Sequence, residues 1–132
     1  MILTPTYHVF EMYNVHHDAV MLPLSIKSEN YAFGAEKLAA VSASASRDKA
    51  GMTHISLVNI DAKKAQTVII SLRGMKSKGM TGRILTSEKV QDHNTFDNPN
   101  KVQPIDFKGA KLNGDDLTVT LPPVSVVVLE LK

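Results

Sequence analysis

The chain has 132 residues, which suits one domain with a buried core but is too short for a catalytic α/β barrel of at least about 200 residues. Its net charge is only +2, from 15 basic and 13 acidic residues, and no basic stripe indicates a nucleic-acid partner. There is no cysteine and no apolar run near the length of about 18 residues that a membrane span requires, so we expect a soluble chain without disulfides. The compartment stays open, because cytoplasmic and secreted proteins can both lack cysteine.

A helix is predicted at the start of the chain. Thr4 can cap the first free amides, and Pro5 at the first helical position loses no intrahelical bond, so we expect a helix from there to about His17. Its apolar residues lie around most of the circumference, which is typical of a helix that packs on more than one side. These residues are Tyr7, Val9, Phe10, Met12, Tyr13 and Val15. Such a helix would be unfavourable alone in water.

The first half of the remaining chain shows strand patterns. Residues 18–31 alternate between apolar and polar types, but Pro23 favours an edge or irregular strand. Residues 38–46 form the clearest predicted strand, and its two faces are distinct. Ala39, Val41, Ala43 and Ala45 are expected to face inward, and Ala40, Ser42, Ser44 and Ser46 outward.

The middle of the chain predicts a hairpin and then a long loop. Residues 52–61 and 66–73 are two strand-like stretches joined by a short polar connection, which is typical of a β-hairpin. A further strand is predicted at 79–87. Residues 88–112 are rich in Asp, Asn and Pro, so we expect an ordered loop with little regular structure.

The end of the chain predicts two strands that meet at two prolines. After the turn signal Asn113-Gly114, residues 117–121 alternate strictly, as in a half-buried strand. Pro122 and Pro123 lack backbone donors and require the chain to turn or change sheets before the last strand, 124–132. That strand has apolar residues on both faces at first, which indicates burial on both sides.

Short strands separated by turn residues predict an all-β fold, a sandwich or a barrel, after the helix. Of these we expect a sandwich of two antiparallel sheets. Its predicted core consists of Val41, Ile55, Leu57, Val68, Ile70, Val119, Val127 and Leu129.

Histidines near the predicted helix end are the first candidates for chemistry. His8 and Glu11 would share a helix face, but His16 and His17 diverge by about 100°, so no three of these groups with Asp18 converge on a metal without a bend. Ordinary helix-end residues are therefore favoured. No metal site, cofactor or catalytic residue is predicted.

Three other patterns are better explained by structure than by catalysis. His54 has polar neighbours in its strand and is expected to be an exposed side chain. Strand alternation explains the run of serines at 42–46, and no Gly-x-Ser-x-Gly motif is present. The acidic residues suited to paired-carboxylate chemistry lie in turns and loops. They are Asp92, Asp97, Asp106, Asp115 and Asp116.

Three stretches resemble a known family, the α-L-arabinofuranosidases of glycoside hydrolase family 51. Residues 1–13 (MILTPTYHVFEMY) resemble the segment where the catalytic barrel of these enzymes ends. Residues 94–99 (NTFDNP) with Val102, and residues 121–131 (LPPVSVVVLEL), resemble motifs of their C-terminal domain. Because the order and spacing also agree, the resemblance covers essentially the whole chain.

The resemblance implies a parent enzyme with a (β/α)8 barrel and a C-terminal, jelly-roll-like β-sandwich. This enzyme would be a retaining exo-hydrolase acting on terminal α-L-arabinofuranosyl residues of arabinan, arabinoxylan or oligosaccharides. Residues 1–17 would be the end of the barrel, its last helix, and residues 18–132 the sandwich domain. The expected partner is the catalytic barrel. When the barrel is missing, the chain is expected either to self-associate through residues 4–17 or to leave that segment mobile.

The two catalytic glutamates of that family lie in motifs that this chain lacks, so we expect it to be inactive alone. None of its own glutamates has the catalytic context: Glu11, Glu29, Glu36, Glu88 and Glu130. An independent carbohydrate-binding module and a complete small hydrolase remain as alternatives. The absence of Trp and the small number of other aromatic residues weaken the first of these.

Overall fold

The computed structural model describes all residues, 1–132. One helix, α1 (Pro5–Tyr13), continues into a 3₁₀ turn at Asn14–His16 and is followed by eleven strands. The strands are β1 (Val20–Leu22), β2 (Asn30–Phe33), β3 (Glu36–Ala39), β4 (Val41–Arg47), β5 (Thr53–Asn59), β6 (Gln66–Ser71), β7 (Met80–Thr86), β8 (Ile105–Asp106), β9 (Ala110–Asn113), β10 (Asp116–Leu121) and β11 (Ser125–Leu131). No helix has both the length and the apolar character needed to cross a membrane.

The strands form two facing sheets and a separate hairpin. Six strands lie in the order β1-β4-β5-β11-β7-β8, and three lie in the order β6-β10-β9. The hairpin is β2-β3, and every pair of neighbouring strands is antiparallel. The predicted all-β sandwich preceded by one helix is confirmed, while jelly-roll connectivity stays a prediction.

Fourteen buried apolar residues from both sheets form the core between them. All eight residues predicted for this core are at most 2% exposed. The strand alternation was therefore a reliable guide, because a strand with one face on the core must place every second side chain there.

The two prolines mark a change of sheet, as predicted. β10 lies in the three-stranded sheet and β11 in the six-stranded one. The buried side chain of Asn59 supports this crossing, because its Nδ2 donates to the carbonyl oxygens of Pro122 at 2.9 Å and Lys64 at 3.1 Å. Asn59 thus joins two of the connections between the sheets, the one after β10 and the one after β5.

The predicted hairpin of residues 52–61 and 66–73 is wrong. β5 is flanked by β4 and β11, so neither of its edges is free, and β6 pairs with β10 in the other sheet. The connection turns away at Asp61, whose Oδ1 accepts hydrogen bonds from the backbone N–H groups of Lys63 and Lys64, both at 2.9 Å. The polar connection is a crossing rather than a hairpin loop.

Three smaller predictions also need correction. Residues 38–46 are not one strand, because β3 ends at Ala39 and β4 begins at Val41. Ala40 between them is fully buried rather than outward-facing. Its N–H donates to Glu29 O and its carbonyl accepts from Ile60 N. Ala39 is exposed, and Ser46 is buried under the 3₁₀ turn. The long loop 88–112 contains β8 and most of β9. The α-helix ends at Tyr13, before the expected end near residue 17.

Candidate functional site

Helix α1 forms a third layer on the outer face of the six-stranded sheet. Met12 is 2% exposed and packs in a second small core with Leu85 of β7, Val102 of the long loop and Val128 of β11. This layer explains why the last strand is apolar on both faces. The helix begins as the sequence predicts, with Tyr7 N donating to Thr4 Oγ1 at 3.1 Å.

Polar contacts fix the helix layer at two places. Arg83 of β7 donates to Glu11 Oε1 at 2.9 Å, and this hydrogen bond holds the pKa of Glu11 below its ordinary value. The buried amide of Asn94 donates to the carbonyls of Leu3 and Val102, each at 2.8 Å, and accepts from Val102 N at 2.7 Å. The segment before the helix is therefore bound to the long loop.

The opposite side of the helix layer is apolar and open to solvent. Phe10 is 76% exposed and Tyr7 is 49% exposed. A fixed helix that exposes two large aromatic side chains is unfavourable in water, and such apolar patches mark interaction surfaces in many proteins. We call this surface, Tyr7 and Phe10, the outer helix face.

His16 closes the layer by binding to the sheet beneath it. Its Nδ1 lies 2.5 Å from Ser46 Oγ and its Nε2 lies 3.1 Å from Ser56 Oγ, and Ser56 Oγ lies 2.6 Å from Ser44 Oγ. Burial lowers the pKa of His16, so the neutral ring is favoured. These serines bind the 3₁₀ turn rather than acting as nucleophiles.

The other candidate ligands near the helix end do not converge with His16 on one point. His17 is exposed and lies 3.7 Å from Asp18, while Glu11 is engaged with Arg83. Nowhere do three His, Cys, Asp or Glu side chains converge in a way that could hold a metal ion. His16 and Glu11 therefore bind the helix layer to the sheet, whereas His17 and Asp18 are exposed to solvent.

His54 was expected to be exposed, and this expectation is wrong. It is 4% exposed, and its Nε2 lies 3.0 Å from Asp48 Oδ2 in the loop after β4. This hydrogen bond is the main cause that lowers the pKa of Asp48. The other ring nitrogen, Nδ1, is buried without a hydrogen-bond partner and lies 3.9 Å from Glu130 Oε2.

No signal within β5 itself could have revealed that His54 is buried, because the burial depends on the pairing of β5 with β11. His54 pairs with Glu130 and Ser56 pairs with Val128, so this face of β5 adjoins the outer face of β11 that the helix layer covers. The strand alone shows only polar alternation. Burial of the ring depends on the sheet pairing, which the sequence did not reveal.

A cavity of about 510 Å³ lies between the helix end and the sheet. Its polar lining comes from the helix, the 3₁₀ turn and four strands of the six-stranded sheet. It includes Glu11, Asn14, His54, Arg83, Asp106 and Glu130, with no Tyr, Phe or Trp ring. Glycoside hydrolysis needs a general acid with a raised pKa, whereas the pKa of Glu11 is lowered. Glu11 therefore does not have the raised pKa that such an acid requires.

Two loop carboxylates, those of Asp92 and Asp61, make hydrogen bonds that fix the local structure. Asp92 binds Lys101 Nζ at 2.7 Å and also Ser87, and these hydrogen bonds lower its pKa to about 2. The pKa of Asp61 is lowered by the two amides that it caps. Asp97 lies in the long loop, Asp106 ends β8, and Asp115 and Asp116 lie at the turn between β9 and β10.

Fold and surface together define a class of protein: a β-sandwich domain with a bound helix layer whose outer face is suited to contact with another domain. The family model for the α-L-arabinofuranosidase C-terminal domain matches residues 1–125. The chain belongs to this family.

Individual relatives agree with this assignment. The chain is 46% identical over 133 aligned residues to an intracellular exo-α-L-arabinofuranosidase of Bacteroides ovatus, and 27% identical to α-L-arabinofuranosidase 2 of Arabidopsis thaliana. The crystal structure of the family 51 arabinofuranosidase from Xanthomonas axonopodis pv. citri superposes with a TM-score of 0.96 at 39% identity.

These matches cover nearly all of this chain but a minor part of each relative. The chain is covered to 100%, 97% and 100%, and it spans 26%, 18% and 27% of the three relatives in the same order. The similarity thus concerns their C-terminal domain, and their catalytic domain lies elsewhere.

Proposed function

We propose that this chain serves as the non-catalytic C-terminal domain of an α-L-arabinofuranosidase. The whole enzyme would be a retaining exo-hydrolase that releases terminal α-L-arabinofuranosyl residues from arabinan, arabinoxylan or oligosaccharides. Within it, the domain packs on the catalytic barrel and supports it. The family match and the names of the relatives support this role.

The observation that carries the docking role is the two-sided helix. Its inner side packs on the sandwich through Met12, while Tyr7 and Phe10 on the outer helix face remain exposed. Residues 1–17 are proposed to close the barrel and residues 18–132 to form the sandwich domain. In this arrangement α1 is shared, because one side covers β7 and β11 and the other meets the barrel.

The absence of catalysis is tested with the isolated chain. Incubation with an aryl α-L-arabinofuranoside should give no turnover above background, because the two catalytic glutamates of the family lie in motifs that this chain lacks. Turnover abolished by substitution of a cavity carboxylate such as Glu130→Gln would contradict the proposal and favour a complete small hydrolase.

Titration with carbohydrate distinguishes the proposed role from the alternative of an independent carbohydrate-binding module. Arabinan and xylo-oligosaccharides are added to the isolated chain and the heat of binding is measured. We expect no saturable binding, because the cavity beside the helix offers no aromatic platform. Saturable binding in the micromolar range would favour the module.

The outer helix face also predicts self-association when no barrel is present. Burying Tyr7 and Phe10 would contribute roughly 1.5–3 kcal/mol each, which favours a dimer at high concentration. Light scattering should show mass rising with concentration for the natural chain but not for Phe10→Ser. The matched control is Phe33→Ser, because Phe33 is 83% exposed on the separate β2-β3 hairpin. A strictly monomeric natural chain would refute self-association.

A further inference from the structure

The three-stranded sheet has a free edge at β6. Leu72 N donates to Asp115 O at 2.6 Å, and the same register pairs Ile70 with Leu117 and Val68 with Val119. In an antiparallel pair, the backbone groups of alternate residues point toward the partner strand. The N–H and C=O groups of Thr67, Ile69 and Ser71 therefore point away from β10, on the side where no strand pairs.

A groove runs along this edge because the two sheets differ in width. Three strands face six, and residues 23–29, which lie beside the edge, pair with no strand. The groove has a volume of about 990 Å³, and a smaller cavity of about 460 Å³ continues it past Gln66. Its apolar lining includes Leu22, Leu24, Ala45, Ile70, Leu72 and Met75.

The edge lacks the usual protection against pairing. Ile69 is 65% exposed at its centre, and β6 contains no proline, charged residue or bulge that would prevent another strand from adding. Free, apolar strand edges are sites where proteins add a further strand. The backbone donors and acceptors, the apolar lining and the open groove thus point to the same kind of occupant.

The positive charge of the groove favours one kind of added strand over another. Lys27, Arg47 and Arg73 line the larger cavity, which has no carboxylate, and the one carboxylate of the smaller cavity is that of Glu29. A second copy of this chain pairing edge to edge would bring the same three cations against these, which is unfavourable. An extended segment with acidic residues beside its apolar ones complements the groove instead.

We propose that β6 is completed by an extended strand from the catalytic part of the enzyme, with apolar side chains directed into the groove and acidic ones toward the basic rim. About six residues would match the length of β6. This rests on the proposed function, because it takes the strand from the part of the relatives that this chain does not span. It also names a second contact, separate from the outer helix face.

The test uses the isolated chain and a defined probe. A capped heptapeptide of alternating valine and glutamate is added, and amide hydrogen exchange is followed by NMR. Exchange of Thr67, Ile69 and Ser71 should slow by about tenfold or more, while Val68 and Ile70, already bonded to β10, should not change. Ile69→Pro, which removes an outward N–H, should abolish the effect, and Ile69→Val should retain it.

The control peptide alternates valine with lysine. At equal concentration it should slow the exchange of these amides at least about tenfold less, because its lysines are repelled by the basic residues of the rim. Equal protection by both peptides, or by neither, would overturn the proposal. Protection that rises with protein concentration alone would assign the edge to a second copy and would also overturn it. None of these results bears on the outer helix face, so the proposed function would stand or fall separately.

Discussion

Met12→Ala tests whether helix α1 is part of the cooperative structure of the domain. Met12 is 2% exposed and packs against Leu85, Val102 and Val128. Truncation of a buried Met costs about 2–5 kcal/mol, and we expect about 2–3 kcal/mol at this edge position, where the helix can move toward the sheet. With a denaturant slope of about 1–3 kcal/mol/M, the urea midpoint should fall by about 0.7–3 M.

The matched control is Phe10→Ala in the same helix. Phe10 is 76% exposed, so its truncation should change the free energy of unfolding of the monomer by no more than about 0.5 kcal/mol. Urea unfolding followed by circular dichroism, at a concentration where both variants are monomeric, compares the two. If Met12→Ala leaves the midpoint unchanged and only the α1 amides exchange faster, the helix is an appendage and our account of this layer is wrong.

Three further predictions concern the sandwich. Leu129→Ala, at a fully buried position, should lower the free energy of unfolding by about 2–4 kcal/mol in urea titration, and an unchanged midpoint would contradict the core assignment. Gly109→Ala should destabilise by about 1–3 kcal/mol, because the new Cβ would lie 2.7 Å from the Phe107 ring and 2.8 Å from Thr120 O, whereas Gly79→Ala meets nothing within 4 Å and should have little effect in the same thermal melts. Asp92 has a folded pKa of about 2 against an ordinary 3.8, so its contribution is present above about pH 4 and is lost as the pH falls toward 2. The natural chain and Asp92→Asn should therefore differ in stability at neutral pH and converge near pH 2, and a difference that persists in acid would refute this role.

The sequence predicts what depends on local pattern. Alternation in 117–121 identified the inward face of β10, and the two prolines predicted the change of sheet after it. It could not predict that β5 and β6 lie in different sheets, because two strands joined by a short polar segment look locally like a hairpin. That outcome depends on distant contacts, such as the one between Asn59 and Pro122.

The candidate site shows the same limit. The apolar circumference of the helix predicted packing on more than one side, and the structure shows one packed side and one open side. Burial of His54 was missed because it depends on the pairing of β5 with β11, and a polar alternating strand gives no sign of a covering layer. The groove beside β6 was not predictable, since it results from the unequal widths of the two sheets.

The docking role of the outer helix face is tested most directly in a chimera. The C-terminal region of the Bacteroides ovatus relative is replaced by this chain, which is 46% identical to it, and release of arabinose and thermal stability are measured for the chimera and for two variants. Phe10→Asp should lower the melting temperature and activity, because a carboxylate would be buried against the barrel, while Phe33→Asp should leave both unchanged. Equal behaviour of the two variants would contradict docking through this face.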